Sequence, residues 1–253
     1  MMTITLLGGG NLANHLTNVL LNSNGCELSQ IYNRSIEKIR HFEKRTKITN
    51  NLDNLRDTDI YILCIKDIAI EEVSAKIAHK EGLIVHTSGA LAMEVLQNNL
   101  RKGVFYPLQT FSKEKNLSFD NIPICIEAAR PKDLEILHSL ATLLSKKVYN
   151  INSLQRKKIH LAAVFVNNFV NHLYSIGKDI CDTNNIPFEI LQPLIEETAK
   201  KMNTLAPFEA QTGPAKRKDY KTIEIHKSEC SEEIETIYAV LTDAIIKSKS
   251  HGN

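Results

Sequence analysis

Residues 3–13 read T-I-T-L-L-G-G-G-N-L-A, and this stretch decides the fold. Thr3, Ile4, Thr5, Leu6 and Leu7 form a short run rich in β-formers. Three glycines follow at once, and from Asn11 the apolar residues Leu12, Leu16, Val19 and Leu20 recur at helical spacing. A strand, a glycine turn and a helix in that order give G-x-G-x-x-A its physical meaning. Gly8 suits a tight turn. Gly10, without a Cβ, lets a pyrophosphate approach the backbone, and Ala13 is small enough for the helix to lie on the strand. The helix start, Asn11 and Leu12, offers unpaired N–H groups and the positive end of a dipole. The pattern predicts a dinucleotide or a related phosphate ligand.

Outward from this stretch, apolar runs alternate with helical patterns. Strands are predicted at residues 28–33, 47–49, 59–65, 83–87, 103–106, 122–127 and 147–151. Helices are predicted at residues 11–23, 35–44, 68–79, 90–100 and 131–145. The continuous run D-I-Y-I-L-C-I at 59–65 reads as a central parallel strand buried on both faces. Such alternation means βαβ units and a mostly parallel sheet. Past residue 152 the strand pattern stops. Residues 154–182 read as one long helix, 188–202 as a second and 231–249 as a third, capped by Ser231. The chain is therefore expected to hold an α/β domain over residues 1–152 and an all-α domain over 153–253.

Composition narrows the function classes. The 253 residues are 43% hydrophobic and 24% charged with a net charge of +2, so there is no bulk electrostatic case for nucleic acid or an anionic membrane. No run reaches the roughly 18 apolar residues of a membrane span. The N-terminus enters a strand directly, without the pattern of a secretory signal. Five dispersed cysteines without ligand spacing suggest reduced thiols and a cytoplasmic setting. No metal site is expected.

The end of the second strand selects the cofactor. An NAD site would place a carboxylate there for the ribose 2′-hydroxyl. Asn33, Arg34 and Ser35 stand in that place and offer donors and a positive charge, which suit a 2′-phosphate and hence NADP. Ligands of open α/β sheets lie beyond the carboxyl ends of the strands. Ile65 and Lys66, with Asp67, are expected near the cofactor. In H-T-S-G at 86–89, Ser88 and Gly89 can reach the nicotinamide or substrate, while His86 reads as a core histidine. In the loop at 106–112, Gln109, Thr110 and Ser112 are polar groups set between Phe105 and Phe111. On the long helix, at about 100° per residue, His160, Asn167, Asn171 and Lys178 share a stripe with Asn168 at its margin. The rest is apolar nearly all round, as in a helix buried in a core or an oligomer interface. The polar stripe serves either a cleft facing the cofactor or a buried hydrogen-bond network. Arg217 either binds a substrate carboxylate or pairs with Asp219.

G-G-G-N-L-A followed by N-R-S resembles the superfamily of 6-phosphogluconate dehydrogenase-like, pyrroline-5-carboxylate reductase-like and ketopantoate reductase-like enzymes. Four later motifs narrow this: H-T-S-G-A (86–90), F-Y-P-L-Q-T-F-S (105–112), H-L-A-A-V-F-V-N-N-F-V-N-H-L (160–173) and T-G-P-A-K-R-K-D (212–219). Together they resemble Rossmann-like proteins with a DUF2520 C-terminal domain, a family labelled NADP- or F420-dependent oxidoreductase. The resemblance implies a Rossmann domain, a helical C-terminal domain and a homodimer through the helices. Related hydroxyacid dehydrogenases carry a lysine four residues before an asparagine on the long helix. Ala163 and Val164 stand in those places here. The expected catalytic set is therefore His160 as proton carrier, with Ser88, Gln109, Asn168 and Asn171 positioning a small carbonyl or imine substrate. The alternative is a non-catalytic NADP-binding regulator.

Overall fold

The computed structural model describes residues 1–97, 101–112 and 117–248. By its contacts the chain divides into two compact units, Met1–Phe165 and Val166–Asn253.

The first unit holds β1 (Met2–Leu7), α1 (Asn11–Leu21), β2 (Cys26–Tyr32), β3 (Lys47–Thr49), β4 (Ile60–Leu63), α2 (Ile70–Lys76), β5 (Leu83–His86), β6 (Lys102–Pro107), β7 (Ile124–Ala128), α3 (Pro131–Leu144), β8 (Val148–Asn150) and α4 (Ser153–Ala163). The strands form one sheet in the order β3-β2-β1-β4-β5-β6-β7-β8. β1 to β6 are parallel, and β7 pairs antiparallel to β6. Side chains alternate across the strands. Ile4, Leu6, Ile60 and Ile62 enter one apolar layer with Leu16 and Leu20 of α1 and Leu137 and Leu140 of α3. Leu7, Tyr61 and Leu63 enter the opposite layer with Ile70 at the start of α2. Both faces are covered, which is why β4 reads as an unbroken apolar run. The strand order reverses between β1 and β4, so the carboxyl ends of these two strands open side by side at a topological switch point.

Two predicted helices are absent, each for a physical reason. Residues 35–44 form two 3₁₀ turns, Ile36–Lys38 and Arg40–Phe42. Ile36, Ile39 and Phe42 recur every third residue, the spacing that aligns on a 3₁₀ helix and not on an α-helix. Ile39 and Phe42 are buried by it. Residues 90–97 contain only the 3₁₀ turn Met93–Val95, and 98–100 of the predicted helix lie outside the described residues. Here side chains take the backbone groups that a helix would use. Ser88 Oγ accepts from the N–H of Ala90 and Leu91, Ser153 Oγ from that of Met93, and Arg156 donates to the Leu91 carbonyl. β6 runs one residue past the predicted end at 106, to Pro107. It is the last paired residue, opposite Ile124.

The sheet ends at Asn150 and the helical part of the chain starts at Ser153, whereas the compact units part at Phe165, because Ser153 and Arg156 on α4 are buried in the first unit. The predicted single helix at 154–182 is α4, a π segment Val164–Phe169 and α5 (Val170–Thr183). A π turn takes more residues than an α turn, so one 100° spacing does not run from His160 to Lys178. Among the described residues the apolar positions of this helix, Cys181 apart, are not buried by the chain itself. In the second unit Val166 is 74% and Ile180 47% exposed.

That unit continues with α6 (Gln192–Lys201), the short α7 (Pro207–Ala210) and α8 (Pro214–Arg217), α9 (Tyr220–Ser228) and α10 (Glu232–Lys247). Ser231 caps α10 by accepting from the N–H of Ile234. Asp219 caps α9 through Thr222 and makes no ion pair with Arg217 among the described residues. All five cysteines are free thiols, four of them buried. Burial holds the Cys64 thiol up at about 12, far from a reactive thiolate. Among the described residues no helix is long and apolar enough to cross a membrane, and no group of three or more His, Cys, Asp or Glu is placed to hold a metal ion.

Candidate functional site

The turn after β1 is built for close approach. Gly8 has φ +148°, and a Cβ there would lie 2.1 Å from the carbonyl oxygen of Cys64, so the turn rests directly on the end of β4. Its N–H donates to the Tyr32 carbonyl at 2.8 Å. A Cβ on Gly9 would meet the Asn33 side chain at 3.0 Å, whereas one on Gly10 would meet nothing within 4 Å. Gly10 is the N-cap of α1 and no side chain caps that helix. The first turn of α1 therefore keeps free donors beside an open backbone face, the chemistry that a pyrophosphate requires. A cleft of about 660 Å³ adjoins it, lined by Gly9, Gly10, Asn11, Asn14, Lys38 and His41 among others. The residues present thus fit a dinucleotide.

The other expected cofactor groups are placed unequally. Asn33 Nδ2 donates to the Ser35 carbonyl, which shapes the turn after β2. Arg34 and Ser35 are exposed there, and among the described residues Arg34 has no hydrogen bond or ion pair. Leu12 is turned toward the core and can contribute only its backbone. Ile65 is half-buried and Lys66 exposed beyond β4. Asn11 Nδ2 donates to the Phe111 carbonyl, and His15 Nε2 lies 2.8 Å from the Ser112 carbonyl, so the loop after β6 is tied to α1. Gln109 is exposed in this loop, with its side-chain oxygen on the N–H of Thr110.

A denser network lies at the end of β5. Ser88 is buried and its hydroxyl is fully used. It donates to Asp67 Oδ2 at 2.8 Å and accepts from Ala90 and Leu91. Ser88 is therefore a turn-forming residue, and its hydroxyl is not free to position a substrate as expected, because one hydrogen and two lone pairs are all that it has. His86 is fully buried. Its Nδ1 accepts from the Ser88 N–H, so Nε2 carries the proton and donates to the Ala92 carbonyl. Burial, with the nearby Arg156 charge, lowers its pKa to about 4.

An expected result follows from that shift. An unfolded histidine takes up its proton near pH 6.5, so between pH 6.5 and 4 the unfolded state binds more protons and stability falls as pH falls. From pH 7 to pH 5 this one group removes about 2 kcal/mol. Urea midpoints at both pH values should show a shallower loss in His86→Asn than in the unaltered protein. Parallel losses would refute the assignment.

Arg156 organises this region. It is fully buried on α4 and donates to Glu127 Oε2 at 2.5 Å, the Leu91 carbonyl at 2.6 Å, the Ser88 carbonyl at 3.2 Å and Ser153 Oγ at 3.1 Å. Glu127 also accepts from the N–H and hydroxyl of Ser153. One helical turn further on, His160 reaches the carboxyl rim of the sheet. Its Nδ1 lies 3.2 Å from the Tyr106 hydroxyl, with the rings edge to face. Burial raises the Tyr106 pKa to about 12, so the phenol keeps its proton at neutral pH. The pair closes over Gly89, where a Cβ would lie 2.6 Å from His160 Nδ1 and 2.8 Å from Tyr106 Oη.

Of the predicted catalytic set, the structure brings His160 together with the Ser88–Gly89 turn. Asn168 in the π segment and Asn171 on α5 are exposed in the second unit. Arg156 and Glu127 were not anticipated. Arg156 sits in Q-R-K-K at a helix start, where charge reads as a solvated face. The available signal was Glu127, a carboxylate ending the buried strand I-C-I-E, which calls for a partner.

Fold and turn together define a Rossmann-type oxidoreductase. The chain belongs to the family of NAD(P)-binding oxidoreductases that join such a domain to DUF2520. Residues 3–89 match the profile described as "NADP oxidoreductase coenzyme F420-dependent", and residues 122–245 match "Domain of unknown function (DUF2520)". A solved structure from Bacteroides fragilis, described as a "putative NADP oxidoreductase", is 37% identical over 98% of both chains with a TM-score of 0.90. A Thermotoga maritima protein is 23% identical over 96% of both chains with a TM-score of 0.74. An imine reductase from Myxococcus stipitatus in complex with NADP+ is 13% identical, covering 96% of this chain and 91% of its own, with a TM-score of 0.68. The last two likenesses show the fold alone. No curated protein sequence matches the chain.

Proposed function

We propose that this protein is an NADP-dependent oxidoreductase that reduces, or in reverse oxidises, a small substrate at a C=O or C=N bond, with the proton exchanged at the Tyr106–His160 pair. The nicotinamide supplies the hydride when bound. The chain's own residues hold and orient it and move the proton. The observation that carries the reading is the proton-bearing pair at the carboxyl rim of the sheet whose first turn leaves Gly10 open. Uncapped α1 would receive the pyrophosphate. Exposed Arg34 and Ser35, with Lys38 on the adjoining cleft, favour a 2′-phosphate over a bare ribose, because Asn33 stands directly after β2 where a carboxylate would hold the ribose hydroxyls. Tyr106 and His160 together can deliver a proton to a developing alkoxide or amide anion and recover it from solvent. The exposed apolar residues of α5 support the homodimer, and a monomeric mass by light scattering would remove that part.

The test is a thermal-shift comparison of NADP+ and NAD+, followed by NADPH oxidation with a panel of small aldehydes, ketones and cyclic imines. NADP+ should stabilise the protein more than NAD+ does. Arg34→Ala should weaken NADP+ binding by roughly tenfold and leave NAD+ nearly unchanged. Equal response to the two nucleotides removes the NADP assignment. Binding of NADPH without oxidation by any member of the panel favours a non-catalytic NADP-binding protein.

A further inference from the structure

Gly89 is buried, yet among the described residues nothing accepts a hydrogen bond from its N–H. Buried backbone donors are almost always paired, so this one marks a place where something binds. Its surroundings are specific. The peptide that carries it begins at the Ser88 carbonyl, and that oxygen is held by Arg156 Nε at 3.2 Å. Among the described residues no peptide bond is cis. In a planar trans peptide the C=O and N–H point in opposite directions, so the Gly89 N–H points away from the guanidinium. The positive charge on the carbonyl side polarises the peptide and strengthens its N–H as a donor. The same contact keeps the peptide from flipping. Tyr106 Oη and His160 Nδ1 stand against the same residue, so close that a Cβ on Gly89 would lie 2.8 and 2.6 Å from them.

We propose that the Gly89 N–H and the Tyr106 hydroxyl form a two-donor site for a single acceptor, the oxygen or nitrogen of a polarised C=O or C=N group. The proposal rests on the oxidoreductase reading for what that group belongs to, and on the turn's own geometry for the site. Two sources share the chemistry, the carboxamide oxygen of the nicotinamide and the reacting heteroatom of the substrate. Arg156 acts here as a positioning residue, because it touches the peptide and not the ligand.

Ser88–Gly89 is the one Ser-Gly pair in the chain. Protein labelled with 13C-carbonyl serine and 15N-glycine therefore gives a single amide correlation for Gly89. This resonance should exchange quickly with D2O in the free protein. It should move downfield and exchange at least about tenfold more slowly when ligand accepts from it. If NADP+ alone produces the change, the acceptor is the carboxamide. If the change needs acetone or 1-pyrroline added to the NADP+ complex, the acceptor is the substrate heteroatom. Slow exchange in the free protein, or a resonance unmoved by NADP+ and by both probes at saturation, overturns the proposal. In Arg156→Met the free resonance should move upfield and the ligand effect should be lost. Should that variant not fold, the unaltered protein decides alone. A moving Gly89 signal without NADPH oxidation by the substrate panel would sink the catalytic reading and leave the donor site standing.

Discussion

Arg156→Met should destabilise the protein by about 3–5 kcal/mol, the cost of leaving a buried charge without its partner. The guanidinium is 1% exposed and the Glu127 carboxylate 13% exposed, so neither is screened by water. Methionine fills much of the arginine's volume, so a cavity is not the main loss. What is lost is the one cation that pairs with Glu127 among the described residues, together with the donors on the Ser88 and Leu91 carbonyls. Folded domains hold only about 5–15 kcal/mol in total, so this one change takes a large share. The double variant Arg156→Met with Glu127→Gln should regain part of the loss, because no unpaired charge is then left inside. Arg156→Lys should fall between, since an ammonium keeps the charge but cannot span four acceptors in one plane. Urea unfolding measures all three. A single-variant loss under about 1 kcal/mol, or no recovery in the double variant, would show that the ion pair does not hold the turn.

The largest catalytic effect should come from the pair at the rim. Tyr106→Phe and His160→Ala should each lower turnover by roughly 10²–10⁴-fold, the usual worth of general acid–base help, while the NADPH dissociation constant stays within about twofold if the substrate heteroatom, and not the carboxamide, is the acceptor at Tyr106. Phenylalanine keeps the ring packed and deletes one hydroxyl, so the tyrosine variant isolates the proton. The raised Tyr106 pKa, about 12, keeps the phenol protonated and able to donate through neutral pH. His160 is in hydrogen-bond reach of that hydroxyl and so is placed to replace its proton. The double variant should be little worse than either single one, since residues acting as a unit are non-additive. Turnover within about tenfold of the unaltered protein in Tyr106→Phe would remove the tyrosine from the chemistry. Additive losses would separate the two residues.

How legible the site was depends on what each residue depends on. Gly8, Gly10 and Ala13 could be placed in advance because strand, turn and helix are contiguous, and only residues without bulk fit a turn that rests on the next strand. β4 was legible from an apolar run that nothing but double-sided burial explains. The 35–44 segment differs from the predicted helix because its apolar residues Ile36, Ile39 and Phe42 recur every third residue, which suits 3₁₀ turns. Residues 90–97 were misread because their backbone partners, Ser88, Ser153 and Arg156, reach up to some 60 positions along the chain, beyond any window of periodicity. The Ser88 hydroxyl reads as free in the sequence because its acceptor, Asp67, lies 21 positions back along the chain.

The sequence by itself determined the succession of strands, the glycine turn and the absence of a carboxylate directly after β2. These are local properties of spacing, side-chain bulk and charge. Only the tertiary structure decided that His86 is a neutral core group, that Arg156 and Glu127 hold the turn at 88–91, and that Tyr106 meets His160 over Gly89. Those contacts join β5, β6, β7 and α4 across 29 to 68 residues. They exist because folding brings distant charges out of water together, and a buried charge is tolerated only where its partner arrives with it.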